Sequence, residues 1–143
     1  MIGCRYVNVE AAVSCCITDL ILFSASVNPG GKLDTHWIPE DKIKRARTAA
    51  DAVPERAVNV LLCVGGAGRS LGFAAAARTK SKRKALVSAL VKVVEKHELD
   101  GVDFDWEAPA TLNEMVLLRL VFTHFIFPPA YIHLVFVAHL LEH

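Results

Sequence analysis

Residues 100–107 read Asp100-Gly101-Val102-Asp103-Phe104-Asp105-Trp106-Glu107, four carboxylates in an otherwise apolar stretch of eight. An extended chain alternates its side chains between two faces, with about 6.6 Å between residues two apart. Asp103, Asp105 and Glu107 therefore share one face of a strand, and Val102, Phe104 and Trp106 share the other. If the apolar face packs on helices, the acids point into the interior of a closed sheet. Carboxylates at that spacing cannot all stay ionised there; they share protons or hold them to higher pH. That is the electrostatic condition for a general acid near neutral pH. A solvated edge strand or a divalent-cation site would account for the acids, but would leave Phe104 and Trp106 without a reason.

The flanking sequence supplies neighbours for such a strand. Residues 58–64 (VNVLLCV) form a short apolar run that leads straight into Gly65-Gly66-Ala67-Gly68, and residues 17–27 (ITDLILFSASV) end at the turn signals Asn28-Pro29-Gly30-Gly31. Residues 2–9 are a weaker strand candidate with β-branched and aromatic content. Between them lie two helical patterns. Residues 39–53 are rich in Lys, Arg and Ala, with Pro39 suited to a first turn, and residues 81–96 repeat Leu86, Leu90, Val93 and Val94 at helical spacing. The order strand, strand, helix, strand, helix, strand, without alternating hairpins, predicts an α/β fold with a parallel sheet and right-handed crossovers.

Composition narrows the function. The chain has 143 residues, 53% hydrophobic and 22% charged, enough apolar material for one buried core. Sixteen basic against fifteen acidic residues give a formal charge of +1, which excludes the strongly basic balance of a phosphate-backbone binder. Arg78, Lys80, Lys82, Arg83 and Lys84 cluster at the opening of a helix with no interleaved aromatics, and read as a solvated face rather than a nucleic-acid site. Cys4, Cys15, Cys16 and Cys63 form no CxxC pair and read as small buried hydrophobes. No signal peptide is visible, because Arg5, Asn8 and Glu10 interrupt the N-terminal apolar stretch. Residues 120–141 carry no Asp, Glu, Lys or Arg, the length of a membrane span, yet Pro128-Pro129 sits within them. An apolar tail is expected there rather than a span. His139 and His143 are four apart, but no carboxylate or cysteine lies suitably between them, and no metal site is expected.

The string DGVDFDWE matches the D-x-x-D-x-D-x-E signature of glycoside hydrolase family 18, the chitinases and their relatives, and the upstream segments resemble that family in the same order. Arg5-Tyr6-Val7-Asn8 resembles its first barrel strand. Residues 17–23, followed by residues 27–31, resemble the second. Leu61-Leu62-Cys63-Val64-Gly65-Gly66 resembles the third with its S-x-G-G motif, Cys63 standing for the serine. The resemblance covers residues 1–112 and leaves residues 113–143 as an atypical apolar tail. It implies a partial (β/α)8 TIM barrel, with about four parallel strands and their helices, and an apolar helical C-terminal tail.

It also implies chemistry. Glu107 would be the general acid that protonates the glycosidic oxygen and then the base toward water; Asp105 would orient the substrate's N-acetyl group, and Asp103 would share a proton with Asp105. The acetamido oxygen, rather than an enzyme carboxylate, would be the nucleophile. Tyr6, Phe23, Gly65, Gly66 and Trp106 are the expected substrate-binding residues, with no cofactor. The expected partner is chitin or another oligosaccharide containing N-acetylglucosamine, not nucleic acid or membrane. Alternatives of the same fold are a chitin-binding lectin, an endo-β-N-acetylglucosaminidase and an inactive fragment; family lectins usually lack the glutamate that Glu107 provides here. With four of eight strands in view, residues 1–143 alone are expected to be aggregation-prone and inactive on chitin oligomers.

Overall fold

A strand that is apolar on both faces needs cover on both faces and a neighbour on each side, and β3 (Asn59–Gly65) has them. The computed structural model describes residues 17–54 and 58–106 and the backbone of residues 131–133. In chain order the elements are β1 (Asp19–Val27), β2 (Leu33–Asp34), α1 (Glu40–Asp51), β3, α2 (Phe73–Ala77), α3 (Lys80–Lys96), β4 (Gly101–Asp105) and β5 (Tyr131–His133). They build one sheet in the order β2-β1-β3-β4-β5. β1, β3, β4 and β5 run parallel, with α1 crossing from β1 to β3 and α2 and α3 crossing from β3 to β4. This is the α/β parallel sheet that the sequence pattern predicts.

The helix-facing side of the sheet carries the core. Leu20 and Leu22 from β1, Val60, Leu62 and Val64 from β3, and Val102 and Phe104 from β4 pack in one cluster with Ile43, Ala46 and Ala50 of α1 and Leu86 and Leu90 of α3. Each fully buried Leu or Val contributes about 1.5–3 kcal/mol relative to exposure. α3 starts where Thr79 accepts a hydrogen bond from the Lys82 amide at 3.2 Å, an N-cap of the usual type. Four of the five clustered cations that follow or precede it are exposed, and Arg83 is half-buried with its guanidinium donating to the Ala77 carbonyl. At the lower end of the sheet, Asp100 accepts from the Val60 amide at 2.8 Å and from Arg47 of α1 at 2.6 Å, so one carboxylate ties β3, β4 and α1 together.

Two features differ from the expectation. β1 and β2 form an antiparallel hairpin, pairing Ser26 with Asp34 and Val27 with Leu33. The Asn28-Pro29-Gly30-Gly31 turn reverses the chain through Gly31, at φ +80°, with the Gly31 amide bonded to the Asn28 carbonyl at 2.7 Å and the Lys32 amide to Asn28 Oδ1 at 3.1 Å. Two paired residues are too few to show as an alternating pattern. In the apolar tail, residues 131–133 are strand rather than helix: β5 pairs parallel with β4, placing His133 opposite Asp103. The edge of β4 offers unpaired amides and carbonyls, and a β-prone Tyr-Ile pair satisfies them. The rest of the tail, the strand expected at residues 2–9, and Cys4, Cys15 and Cys16 lie outside the described residues. Among the described residues no helix is long and apolar enough to cross a membrane.

Candidate functional site

The carboxyl ends of β1, β3 and β4 converge on Gly65-Gly66. Parallel register sets Cys63 beside Asp103 and Gly65 beside Asp105. The Gly66 amide donates to the Asp105 carbonyl at 2.7 Å, and Ser70 Oγ donates to the same carbonyl at 3.1 Å. Gly65 and Gly66 have φ of +110° and +92°, a backbone that side chains rarely tolerate. Space forbids a side chain as well: a Cβ on Gly66 would lie 2.6 Å from Phe23 Cζ and 3.4 Å from Asp105 Oδ2. The Phe23 ring and the Asp105 carboxylate therefore flank one bare glycine. From β1, Ser24 Oγ donates to the Gly65 carbonyl at 2.7 Å and fixes the third strand.

The two acids differ in environment. Asp103 is 3% exposed and stands next to Cys63, which is 1% exposed. Burial, then the charge and hydrogen bonding of Asp103, push the Cys63 thiol far above its ordinary value, so it remains an S–H beside the carboxylate. Asp105, half-buried at the strand's end, has its carboxyl pushed above the usual range by removal from water. Among the described residues no cluster of three or more His, Cys, Asp or Glu could hold a metal ion.

Residues 6–125 match the pattern of Glycosyl hydrolases family 18, most of the chain. The chain belongs to this family. A curated relative, class V chitinase CHIT5a of Medicago truncatula, is 39% identical over 66 residues, which are 46% of this chain and 17% of that protein. Among solved structures, a mutant class V chitinase from Nicotiana tobaccum in complex with NAG4 superposes with a TM-score of 0.71 at 18% identity, covering 83% of this chain and 34% of that one. The chitinase-like agglutinin of Robinia pseudoacacia superposes at 0.67 with 20% identity, over 83% and 36%. The fold is thus that of the family 18 TIM barrel, and the chain spans about a third of the solved barrels it matches.

Of the residues expected in a family 18 site, the fold brings Asp103, Asp105, Phe23, Gly65 and Gly66 together. Trp106 goes elsewhere. Its ring stacks on Phe73 at 5.1 Å, with Phe104 on the same Phe73 ring at 5.9 Å, so strand alternation places it on the helix side, partly buried against the core. Glu107 and Tyr6 lie outside the described residues. Asp100, read as structural at the strand's start, serves as the tie described above. Sequence reasoning missed Arg69 and Trp37: Arg69 Nη1 donates to the Ser24 carbonyl at 3.0 Å and to Ser24 Oγ at 2.9 Å, and its guanidinium lies 5.7 Å from the Phe23 ring centre and 5.2 Å from that of Trp37. The one available signal was a lone cation in the glycine-rich Gly65–Gly72 stretch, which by itself points nowhere.

Proposed function

We propose that this family 18 chain carries the acid–base half of a chitinase-type active site, which cleaves β-1,4-linked N-acetylglucosamine polymers with retention. Glu107 gives its proton to the glycosidic oxygen as the bond breaks. The acetamido carbonyl oxygen of the sugar attacks the anomeric carbon, forming a cyclic oxazolinium, and Asp105 holds the amide N–H so that its charge offsets the developing positive charge. Water then opens the ring, with its proton passing to Glu107. Asp103, buried beside Asp105, shares a proton with it as the charge on Asp105 changes. The observation that carries this reading is the position of Asp105: a partly desolvated carboxyl at the end of a parallel strand, against a bare Gly66 and the exposed Phe23 ring. A carboxyl group beside an exposed aromatic ring at a strand end suits an amide-bearing sugar.

The test is turnover of tetra-N-acetylchitotetraose by the protein that carries this chain. Glu107→Gln should abolish cleavage while leaving oligomer binding largely intact, since only the proton donor is lost. Efficient cleavage of a fully deacetylated oligomer, which lacks the acetamido nucleophile, would overturn the assignment. The lectin-like alternative predicts binding without cleavage in the unsubstituted protein; the presence of Glu107 favours hydrolysis.

A further inference from the structure

Arg69 heads a chain of hydrogen bonds that crosses three strands. Its Nη1 donates to Ser24 Oγ at 2.9 Å and to the Ser24 carbonyl at 3.0 Å. A guanidinium has donors and no acceptor, so the Ser24 hydroxyl can only accept from it, and turns its single proton to the Gly65 carbonyl 2.7 Å away. That carbonyl and the Gly66 N–H belong to one planar peptide unit. The Gly66 N–H in turn donates to the Asp105 carbonyl at 2.7 Å. The order is therefore Arg69 in the loop after β3, Ser24 on β1, the Gly65–Gly66 amide at the end of β3, and Asp105 at the end of β4. Every hydrogen in the chain points the same way, outward from the cation. Ser24, Gly65 and Gly66 are all buried. In such surroundings each donor polarises the next group and strengthens its bond.

We propose that Arg69 is a positioning residue for Asp105, acting through Ser24 and the Gly65–Gly66 amide to fix where the Asp105 side chain leaves β4. The catalytic consequence rests on the chitinase-type reading; the chain of bonds does not. Two donors, Gly66 N–H and Ser70 Oγ, hold the Asp105 carbonyl, and so the backbone torsion beside the carbon that carries its side chain. No side chain on the end of β3 can substitute for the amide, since neither glycine has room for a Cβ. Burial, not the guanidinium charge, sets the Asp105 carboxyl above its ordinary value, so the influence of Arg69 runs through bonds rather than through space. Removing the cation leaves the Ser24 hydroxyl without the donor that orients it. The Gly65–Gly66 amide is then less polarised, and its hold on β4 is weaker.

The experiment uses the protein that carries this chain, labelled with 15N and carbonyl-13C glycine, so that only a glycine preceded by a glycine gives a carbon-coupled amide signal. In this chain those are Gly31 and Gly66. Gly31, whose amide donates to the Asn28 carbonyl in the β1–β2 turn, is the internal control. Arg69→Met should move the Gly66 amide proton upfield and leave Gly31 in place. It should also lower kcat on tetra-N-acetylchitotetraose about tenfold, with KM within about twofold of the parent. Arg69→Lys keeps a charged donor for Ser24 without the planar fork, and should recover part of both losses. Ser24→Ala removes the next link without touching Arg69, and should move Gly66 in the same direction. Adding Arg69→Met to Ser24→Ala should change neither Gly66 nor kcat further. Circular dichroism accompanies each variant. An unmoved Gly66 proton in a folded Arg69→Met or Ser24→Ala, full additivity of the two, equal shifts of Gly31 and Gly66, or a raised KM with kcat intact overturns the positioning role and leaves the hydrolase reading standing. The expected shifts in a folded parent that cleaves no tetramer leave the chain of bonds standing and overturn the chitinase-type reading.

Discussion

Placing alanine in turn at Gly68, Gly66 and Gly65 separates backbone strain from steric conflict at the site. All three have positive φ, +72°, +92° and +110°. An L residue in this region costs roughly 1–2 kcal/mol. Gly68 has nothing within 4 Å of a built Cβ, so Gly68→Ala should cost only that backbone term, about 1 kcal/mol. At Gly66 the new methyl lies 2.6 Å from Phe23 Cζ, the far end of a half-exposed side chain that can swing away. Displacing the ring costs about 0.5–1.5 kcal/mol off its rotamer, and loosening its contact with Arg69 adds about 0.5–1 kcal/mol. Gly66→Ala should therefore cost about 2–3 kcal/mol in all. At Gly65 the obstacle is the Asp105 carbonyl, backbone already bonded to the Gly66 amide and Ser70 Oγ, so nothing can yield without opening β3 from β4. That substitution should cost about 4 kcal/mol or more.

For a domain of this size 1 kcal/mol moves Tm by roughly 4 °C. Thermal unfolding by circular dichroism should then show falls of about 4 °C for Gly68→Ala and about 10 °C for Gly66→Ala, with Gly65→Ala poorly folded at ambient temperature. The sharper measurement is a double-variant cycle. Phe23→Ala removes the obstacle at Gly66 but not the positive φ, so Gly66→Ala should be about 1–2 kcal/mol less costly in the Phe23→Ala background. Equal losses for Gly66→Ala and Gly68→Ala, together with no coupling to Phe23, would refute the claim that Phe23 is packed onto that glycine.

Asp105→Asn should raise Tm at neutral pH. The Asp105 carboxyl is pushed up by burial, so its contribution to stability is present below the ordinary carboxylate value and lost as pH rises through the raised value. The stabilisation by Asn should shrink as pH falls, and a variant less stable than its parent at neutral pH would contradict the desolvation. Asp100→Ala leaves the Val60 amide and Arg47 without their shared acceptor and should cost about 1–3 kcal/mol in urea unfolding; a loss below about 0.5 kcal/mol would mean the tie is not used. Cys63, buried and with its thiol pushed up, should resist iodoacetamide in the folded protein and react once denatured, as read by peptide mass spectrometry; rapid native labelling would place the thiol in solvent.

What could be read before the chain was folded is what depends on near neighbours. Apolar runs at residues 17–27 and 58–64, the helical spacing of Leu86 and Leu90, and the alternation in residues 102–106 are set by covalent geometry and its two-residue or 3.6-residue repeat. The core positions of Val102 and Phe104 and the carboxylate placement of Asp103 and Asp105 follow from that repeat alone. Motif order carried the family, since D-x-x-D-x-D-x-E is a local string.

The same repeat put Trp106 on Phe104's side, but only the structure shows its ring stacked on Phe73, 33 positions earlier, partly buried against the core. Residues 131–133 joined the sheet because β4 offered an open edge, a fact about β4 that the apolar tail does not contain. Arg69 was illegible for the same reason. Its partners, Phe23, Ser24 and Trp37, are separated from it by dozens of residues and meet it only after the α1 crossover brings β1 and β3 into register. Side-chain periodicity is decided within a few bonds, whereas the neighbours of a loop side chain depend on which strands pair and in what register, and those choices belong to the whole sheet.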